Sequence, residues 1–217
     1  MQTARRLYFY AMALLGAEAF AWGLIGLLRS LASASQAPGA QNISNGMALL
    51  LVGIPVFLFH WLTVQRDAAR DAEEGRSLTR AVFLYAARTA FLIPSVSSLL
   101  AILNRALATA QGLGASAGGY AAHQSYPDNL IALGVCLLLH AYFTWILAQE
   151  WRSALPATRL AGVRRLFRLT WMGAGLALAV IGAAKLLGYL LRLPSGEPAA
   201  YPGDLSGGLT FLLVGAP

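Results

Sequence analysis

Five apolar runs alternate with polar connections along this chain, at residues 7–28, 47–64, 81–103, 130–148 and 169–191. A hydrocarbon core of about 30 Å takes about 20 helical residues, so each run predicts a membrane-spanning helix. A sixth run, 208–217, starts in the same way but supplies only about 15 Å of helix at about 1.5 Å per residue, which is too short to span alone. The connections at 30–45 and 104–129 are rich in Ala, Gly, Ser and Gln and read as loops, the second long enough to hold a short surface helix. The expected fold is all-α: a polytopic transmembrane helix bundle of five full spans plus a truncated sixth.

The runs are not independent of one another. Residues 46–55 read GMALLLVGIP and residues 208–217 read GLTFLLVGAP. A shift of 159 positions lays Arg5, Arg6 and Leu7 on Arg164, Arg165 and Leu166, Gly16 and Gly23 on Gly175 and Gly182, and Leu27, Leu28 and Leu31 on Leu186, Leu187 and Leu190. The expected organisation is a first four-helix unit at 1–158 and the start of a second at 159–217. A weaker likeness divides the unit again: Trp61 and Gln65 correspond to Trp145 and Gln149, and Arg80 enters the third run as Arg6 enters the first. An even number of helices per unit keeps orientation, which predicts parallel tandem repeats about an axis along the membrane normal. The repeat also argues that the first run is a retained span, although Ala17-Glu18-Ala19 resembles a signal-peptide cleavage site. The first copy continues through VFLFHW where the second stops, so the sixth helix is expected to need a C-terminal continuation or the helices of other membrane subunits.

Composition agrees with the pattern. The chain is 58% hydrophobic and 12% charged, with a mean hydropathy of +0.60, against about a quarter charged in soluble domains. A net charge of +7 would suit nucleic acid in a soluble domain, but the arginines flank apolar runs and no aromatic-basic platform accompanies them, so no nucleic-acid partner is expected. Their distribution instead orients the helices. Arg5 and Arg6, then Arg66, Arg70, Arg76 and Arg80, then Arg152, Arg159, Arg164, Arg165 and Arg168 fall on one side, and only Arg29, Arg105 and Arg192 on the other. The positive-inside rule makes the first side, with the N-terminus, cytoplasmic. Asp67, Asp71, Glu73 and Glu74 can pair with Arg66 and Arg70 on an extension of the second helix beyond the membrane, or present a docking surface. A single cysteine, Cys136, leaves neither a disulfide framework nor a zinc site within the chain.

The run RRLYFY entering the first span, LLLVGIPVFLFHW in the second and QRDAARDAEEGRSLTRAVFLY leading into the third together carry a resemblance. The chain resembles a family of bacterial multi-span membrane proteins, described only as a domain of unknown function, in which helical hairpins recur in tandem. The resemblance implies that fold in the bacterial cytoplasmic membrane, and no active site.

Charged groups inside hydrocarbon are the default functional candidates, since each costs at least about 2.5 kcal/mol on insertion scales unless paired or snorkelled. Glu18 lies near mid-depth of the first span and Arg88 about two turns into the third from the same side. Either the two form an intramembrane ion pair, or Glu18 is protonated and hydrogen-bonded to a neighbouring helix. Lys185, near the outer end of the fifth span, is expected to snorkel to the interface. His60 and His140 are the histidines within spans. Two such rings could ligate one haem, but they occupy different depths and non-equivalent repeat positions, so interior hydrogen bonding is the expected state. Pro55 and Pro94 each remove a backbone donor in mid-span and predict kinks, for packing or for gating. Small residues four apart, Ala19 with Gly23 and Gly175 with Ala179 and Ala183, predict close helix contacts. Trp61, Trp151 and Trp171 fit an inner aromatic belt. No phosphate loop, metal-ligand cluster or activated nucleophile is recognisable, so neither an enzyme nor a cofactor is expected. The best-supported reading is a non-enzymatic structural or interaction module whose partners are the bilayer and other membrane subunits. A transporter or channel using Glu18 and Arg88 is the alternative, and a haem-binding electron carrier a remote one.

Overall fold

The computed structural model describes residues 2–32, 40–71, 77–113, 125–153, 158–195 and 203–216. Among these residues there are six α-helices and no strand: α1 (Gln2–Ala32), α2 (Ala40–Arg70), α3 (Leu78–Ala110), α4 (Tyr126–Ser153), α5 (Thr158–Arg192) and α6 (Gly203–Gly215). The fold is all-α, as expected. Five helices, α1 to α5, are long and apolar enough to cross a membrane, and α6 is a shorter apolar helix. Each of the six starts before its apolar run, and α1 to α5 also continue beyond it. Hydropathy marks only the residues that hydrocarbon demands, whereas helical hydrogen bonding continues through flanking Gln, Arg and Ala of good propensity. The longest extension precedes the fifth run, where α5 already starts at Thr158, and in the 104–129 connection α3 continues to Ala110 and α4 starts at Tyr126. The surface helix expected in that connection, and Glu73 and Glu74 after α2, lie outside the described residues.

Local chemistry sets the helix ends. The Ser77 hydroxyl accepts from the Arg80 backbone N–H at 3.2 Å, an N-cap that starts α3 and puts Arg80 in its first turn. Ser125 and Asp128 form a reciprocal capping box at the start of α4: Asp128 N–H donates to the Ser125 hydroxyl at 3.3 Å, and Ser125 N–H to the Asp128 carboxylate at 3.0 Å. At the end of α3, Gly112 adopts φ +71°, with Leu113 N–H donating to Ala108 O and Gly112 N–H to Thr109 O, both at 3.0 Å. This is a Schellman stop, which requires the left-handed conformation that glycine takes without strain.

The chain forms two compact units, one of Met1–Ile93 with Gly134–Arg165 and one of Pro94–Leu133 with Leu166–Pro217. The division at 158 drawn from the repeat is one of sequence, whereas these units follow packing. The boundary in α3 falls immediately before Pro94, and α3 stays helical through it, as α2 does through Pro55.

In the first unit α1 and α2 pack antiparallel with their backbones in contact. A Cβ on Gly53 would stand 2.5 Å from Phe20 N, and one on Gly23 would stand 3.0 Å from both Gly46 O and Leu50 N. No side chain fits there, so the glycines set the interhelical distance, and lipid supplies no hydrophobic drive that could replace this contact. Ala19 lies in the same seam, against Gly53. Within the unit, Tyr10, Trp61, Phe83, Phe91 and Phe143 form a buried aromatic cluster, with Tyr10 and Phe83 rings 4.9 Å apart and Trp61 5.6 Å from both Phe83 and Phe143.

In the second unit the α5/α6 hairpin has a seam of the same kind. A Cβ on Gly182 would stand 2.8 Å from Gly208 O and from Leu212 N, and one on Gly215 would stand 2.6 Å from Ala179 N. Gly175 faces Gly215 O, while Ala183 is exposed. α6 buries Ser206, Gly208 and Thr210, and the Thr210 hydroxyl donates to Ser206 O at 2.8 Å.

Candidate functional site

The most heavily engaged polar group is Arg80, which sequence reasoning counts among the connection arginines. It is 3% exposed. Ser77 starts α3 just ahead of it, and a side chain in the first turn of a helix points back toward the N-terminus, here into the first unit. Its Nε donates to Glu150 Oε1 at 2.6 Å, and a terminal nitrogen lies 2.5 Å from the same oxygen. That terminal nitrogen also donates to Gln65 Oε1 at 2.7 Å, the other reaches Val64 O at 3.5 Å, and the Tyr10 hydroxyl is a further polar neighbour. The guanidinium carbon lies 5.8 Å from the Trp61 ring centre, and Trp61 Nε1 in turn donates to the Tyr142 hydroxyl at 2.7 Å. One planar cation thus ties α1, α2, α3 and α4 together. A guanidinium is suited to the task, having five donors in a fixed fork and a face that stacks on aromatics.

Trp61 is correspondingly not an interfacial belt residue. It is buried, because its ring closes over Arg80 and packs against Phe83 and Phe143. The signals for this cluster were present in the sequence as Gln65, Trp61 and Arg80 at repeat-equivalent places, but nothing in periodicity distinguishes a loop arginine from one folded inward by a serine cap.

The residues singled out for chemistry are placed as follows. The Glu18 carboxylate accepts from Trp22 Nε1 at 2.8 Å, on its own helix and one turn away. The Arg88 guanidinium sits 5.9 Å from the Tyr85 ring centre. No ion pair joins Glu18 to Arg88, and the i, i+4 spacing of Glu18 and Trp22 was the overlooked signal. His140 Nδ1 lies 3.1 Å from Arg88 O, crossing from α4 to α3. His60 Nδ1 lies 2.8 Å from Val56 O within α2, and its ring is 5.4 Å from Phe9 and 5.7 Å from Tyr8. A carbonyl only accepts, so Nδ1 carries the proton in both rings. The two histidines thus engage different partners. Lys185 meets a partner: its ammonium is 3.1 Å from Asp204 Oδ1, and Arg192 is 2.9 Å from Asp204 Oδ2. Asp204 occupies the first turn of α6, where a carboxylate also opposes the positive end of the helix dipole. Pro55 and Pro94 lie within continuous helices, and Cys136 is buried. Among the described residues no group of three or more His, Cys, Asp or Glu side chains is arranged to hold a metal ion.

The arrangement can clamp helices. Arg80 joins four helices in the first unit, and Asp204 joins the two helices of a hairpin in the second.

No curated protein and no solved structure matches this chain. Residues 6–138, from α1 into the first half of α4, match a family described as a domain of unknown function, DUF5671. That stretch is more than half of the chain and contains the glycine seam of α1 and α2 together with Arg80, Trp61 and Gln65, so the protein belongs to the DUF5671 family.

Proposed function

We propose that this chain is a non-enzymatic structural or interaction module of the bacterial cytoplasmic membrane, with its N-terminus cytoplasmic, that assembles with other membrane subunits. The observation that carries the reading is the way its buried charge is used. Arg80 spends its donors on Glu150, Gln65 and Val64, so the most costly group to bury is employed in holding helices together. A transport pathway needs polar groups converging on a common route. Glu18 and Arg88, the groups such a route would use, instead engage Trp22 and Tyr85. The orientation rests on the arginine bias, and the duplication read from the sequence is supported by the matching seams: Gly23 with Gly46 and Gly53 with Phe20 in one hairpin, Gly182 with Gly208 and Gly215 with Ala179 in the other.

Purification of the tagged full chain in mild detergent, alongside reconstitution into liposomes, tests this reading. Recovery with other membrane proteins, and no solute or proton flux above that of empty liposomes, is the expected result. Flux that disappears in Glu18→Gln would replace the module by a transporter.

A further inference from the structure

At one end of the α1/α2 hairpin, where Arg5 lies in the first turn of one candidate span and Arg70 closes the next, a cleft of about 280 Å³ lies between the two helices. Its floor is apolar, made by Phe9 and Val64, and its rim carries both signs of charge: Arg5, Arg6 and Arg70 with Asp67 and Asp71. Val64 is buried, and its carbonyl oxygen faces Arg80, so the floor is held by the four-helix clamp. One pair on the rim is held loosely. Arg5 and Asp67 stand 3.6 Å apart with both side chains substantially exposed, and an exposed, solvent-screened pair of this kind contributes little. Opening it for a ligand therefore costs little.

Three guanidiniums alone would suit any phosphate. Two carboxylates beside them penalise a purely anionic ligand and favour one that carries a cation close to its anion. An ammonium with N–H donors can hydrogen-bond a carboxylate, whereas a quaternary ammonium cannot. We propose that this cleft seats the headgroup of a zwitterionic, primary-amine phospholipid of the phosphatidylethanolamine type. The phosphate is bound by the Arg5 and Arg70 guanidiniums, the ammonium, two carbons away, by Asp67 and Asp71, and an acyl chain runs along the apolar floor. The site rests on the membrane reading, because it needs these helix ends at the lipid-water interface.

Native mass spectrometry of the full chain in detergent, titrated separately with phosphatidylethanolamine, phosphatidylcholine and phosphatidylglycerol, tests it. Phosphatidylethanolamine is expected to be retained about fivefold better than either of the others, the equivalent of about 1 kcal/mol. Asp67→Asn with Asp71→Asn should erase the preference over phosphatidylcholine, and Arg70→Gln should lower retention of both zwitterionic lipids. All three positions lie on the hairpin rim outside the aromatic cluster, and an unchanged circular dichroism spectrum verifies that each variant is folded. Equal or better retention of phosphatidylglycerol, or a preference that survives in the double Asn variant, overturns the proposal. So does displacement of the lipid by soluble O-phosphoethanolamine at comparable concentration, which would make the ligand a free metabolite. Failure of the membrane reading itself shows separately, as a chain that extracts from cells without detergent.

Discussion

The α1/α2 and α5/α6 hairpins share a seam and differ on their outer faces. In both, a glycine on the first helix meets a glycine carbonyl on the second, and a leucine one turn further covers it: Gly23, Gly46 and Leu27 in one, Gly182, Gly208 and Leu186 in the other. The remaining faces diverge. On α1, Tyr10, Ala13, Ala17, Ala21 and Ile25 form a stripe in which no residue exceeds 2% exposure. The positions 159 further on include Leu169, Met172, Leu176 and Val180, which are 54–66% exposed. Alanines at the centre of the stripe stand where neighbouring helices approach closely, and large aliphatics stand where, among the described residues, the surface is open. In lipid, where helix association depends on packing and hydrogen bonds more than on apolar burial, the inner seam determines that a hairpin forms and the outer stripe determines how closely others join it. The polar clamps follow the same division: Arg80 is sealed inside four helices, whereas Lys185 and Arg192 hold Asp204 with side chains more than a third exposed.

The largest test of this contrast exchanges the clamps for apolar residues. Arg80→Met leaves the Glu150 carboxylate without its cation, and breaking a buried pair costs about 3–5 kcal/mol; Glu150 is partly exposed, which favours the lower end. Lys185→Met, on the open hairpin, should change stability by less than about 1 kcal/mol. Thermal unfolding in detergent, followed by circular dichroism, measures both. Adding Glu150→Leu to Arg80→Met should recover much of the loss, since an apolar replacement of both partners leaves no orphaned charge. Equal losses at Arg80 and Lys185 would erase the distinction between the two units.

A second test addresses the stripes. Ala17→Leu forces a larger side chain into a position with no exposure and should cost about 1–3 kcal/mol by overpacking. Leu176→Ala, at the corresponding place on α5, should fall within about 0.5 kcal/mol of the parent, as surface changes do. A large loss at Leu176 in the protein extracted with its native neighbours, absent from the protein purified alone, would reveal a partner seated on that face and would sharpen the contrast into an interface.

Much of this architecture is legible in the sequence because its causes are local. Five apolar runs of span length, the glycines of the seam and the serine caps are each encoded within a few residues. The polar partners are legible only in part. Trp22 could be found for Glu18, since both lie on one helix at i, i+4. Glu150 could not be found for Arg80, because the pair joins residues 70 positions apart and depends on how a serine cap turns an arginine that hydropathy assigns to a loop. Depth arithmetic brought Glu18 and Arg88 to similar heights in the bilayer, but it carries no information about rotation around each helix axis, and rotation decides which side chains meet.

The smallest predicted effect converts one face into the other. Glu18 and Trp22 correspond to Ala177 and Ile181 on α5, an apolar pair in place of a hydrogen-bonded one. If the Glu18 carboxylate serves only its bond to Trp22, the double change Glu18→Ala with Trp22→Ile removes donor and acceptor together and should alter stability by no more than about 1 kcal/mol. Trp22→Ile alone should cost more than the pair, because it leaves the carboxylate in the span without its donor. The ordering of these two variants in one unfolding assay carries the information. A double variant worse than the single one would mean that Glu18 has a task beyond Trp22, and α1 would then differ from α5 in function as well as in packing.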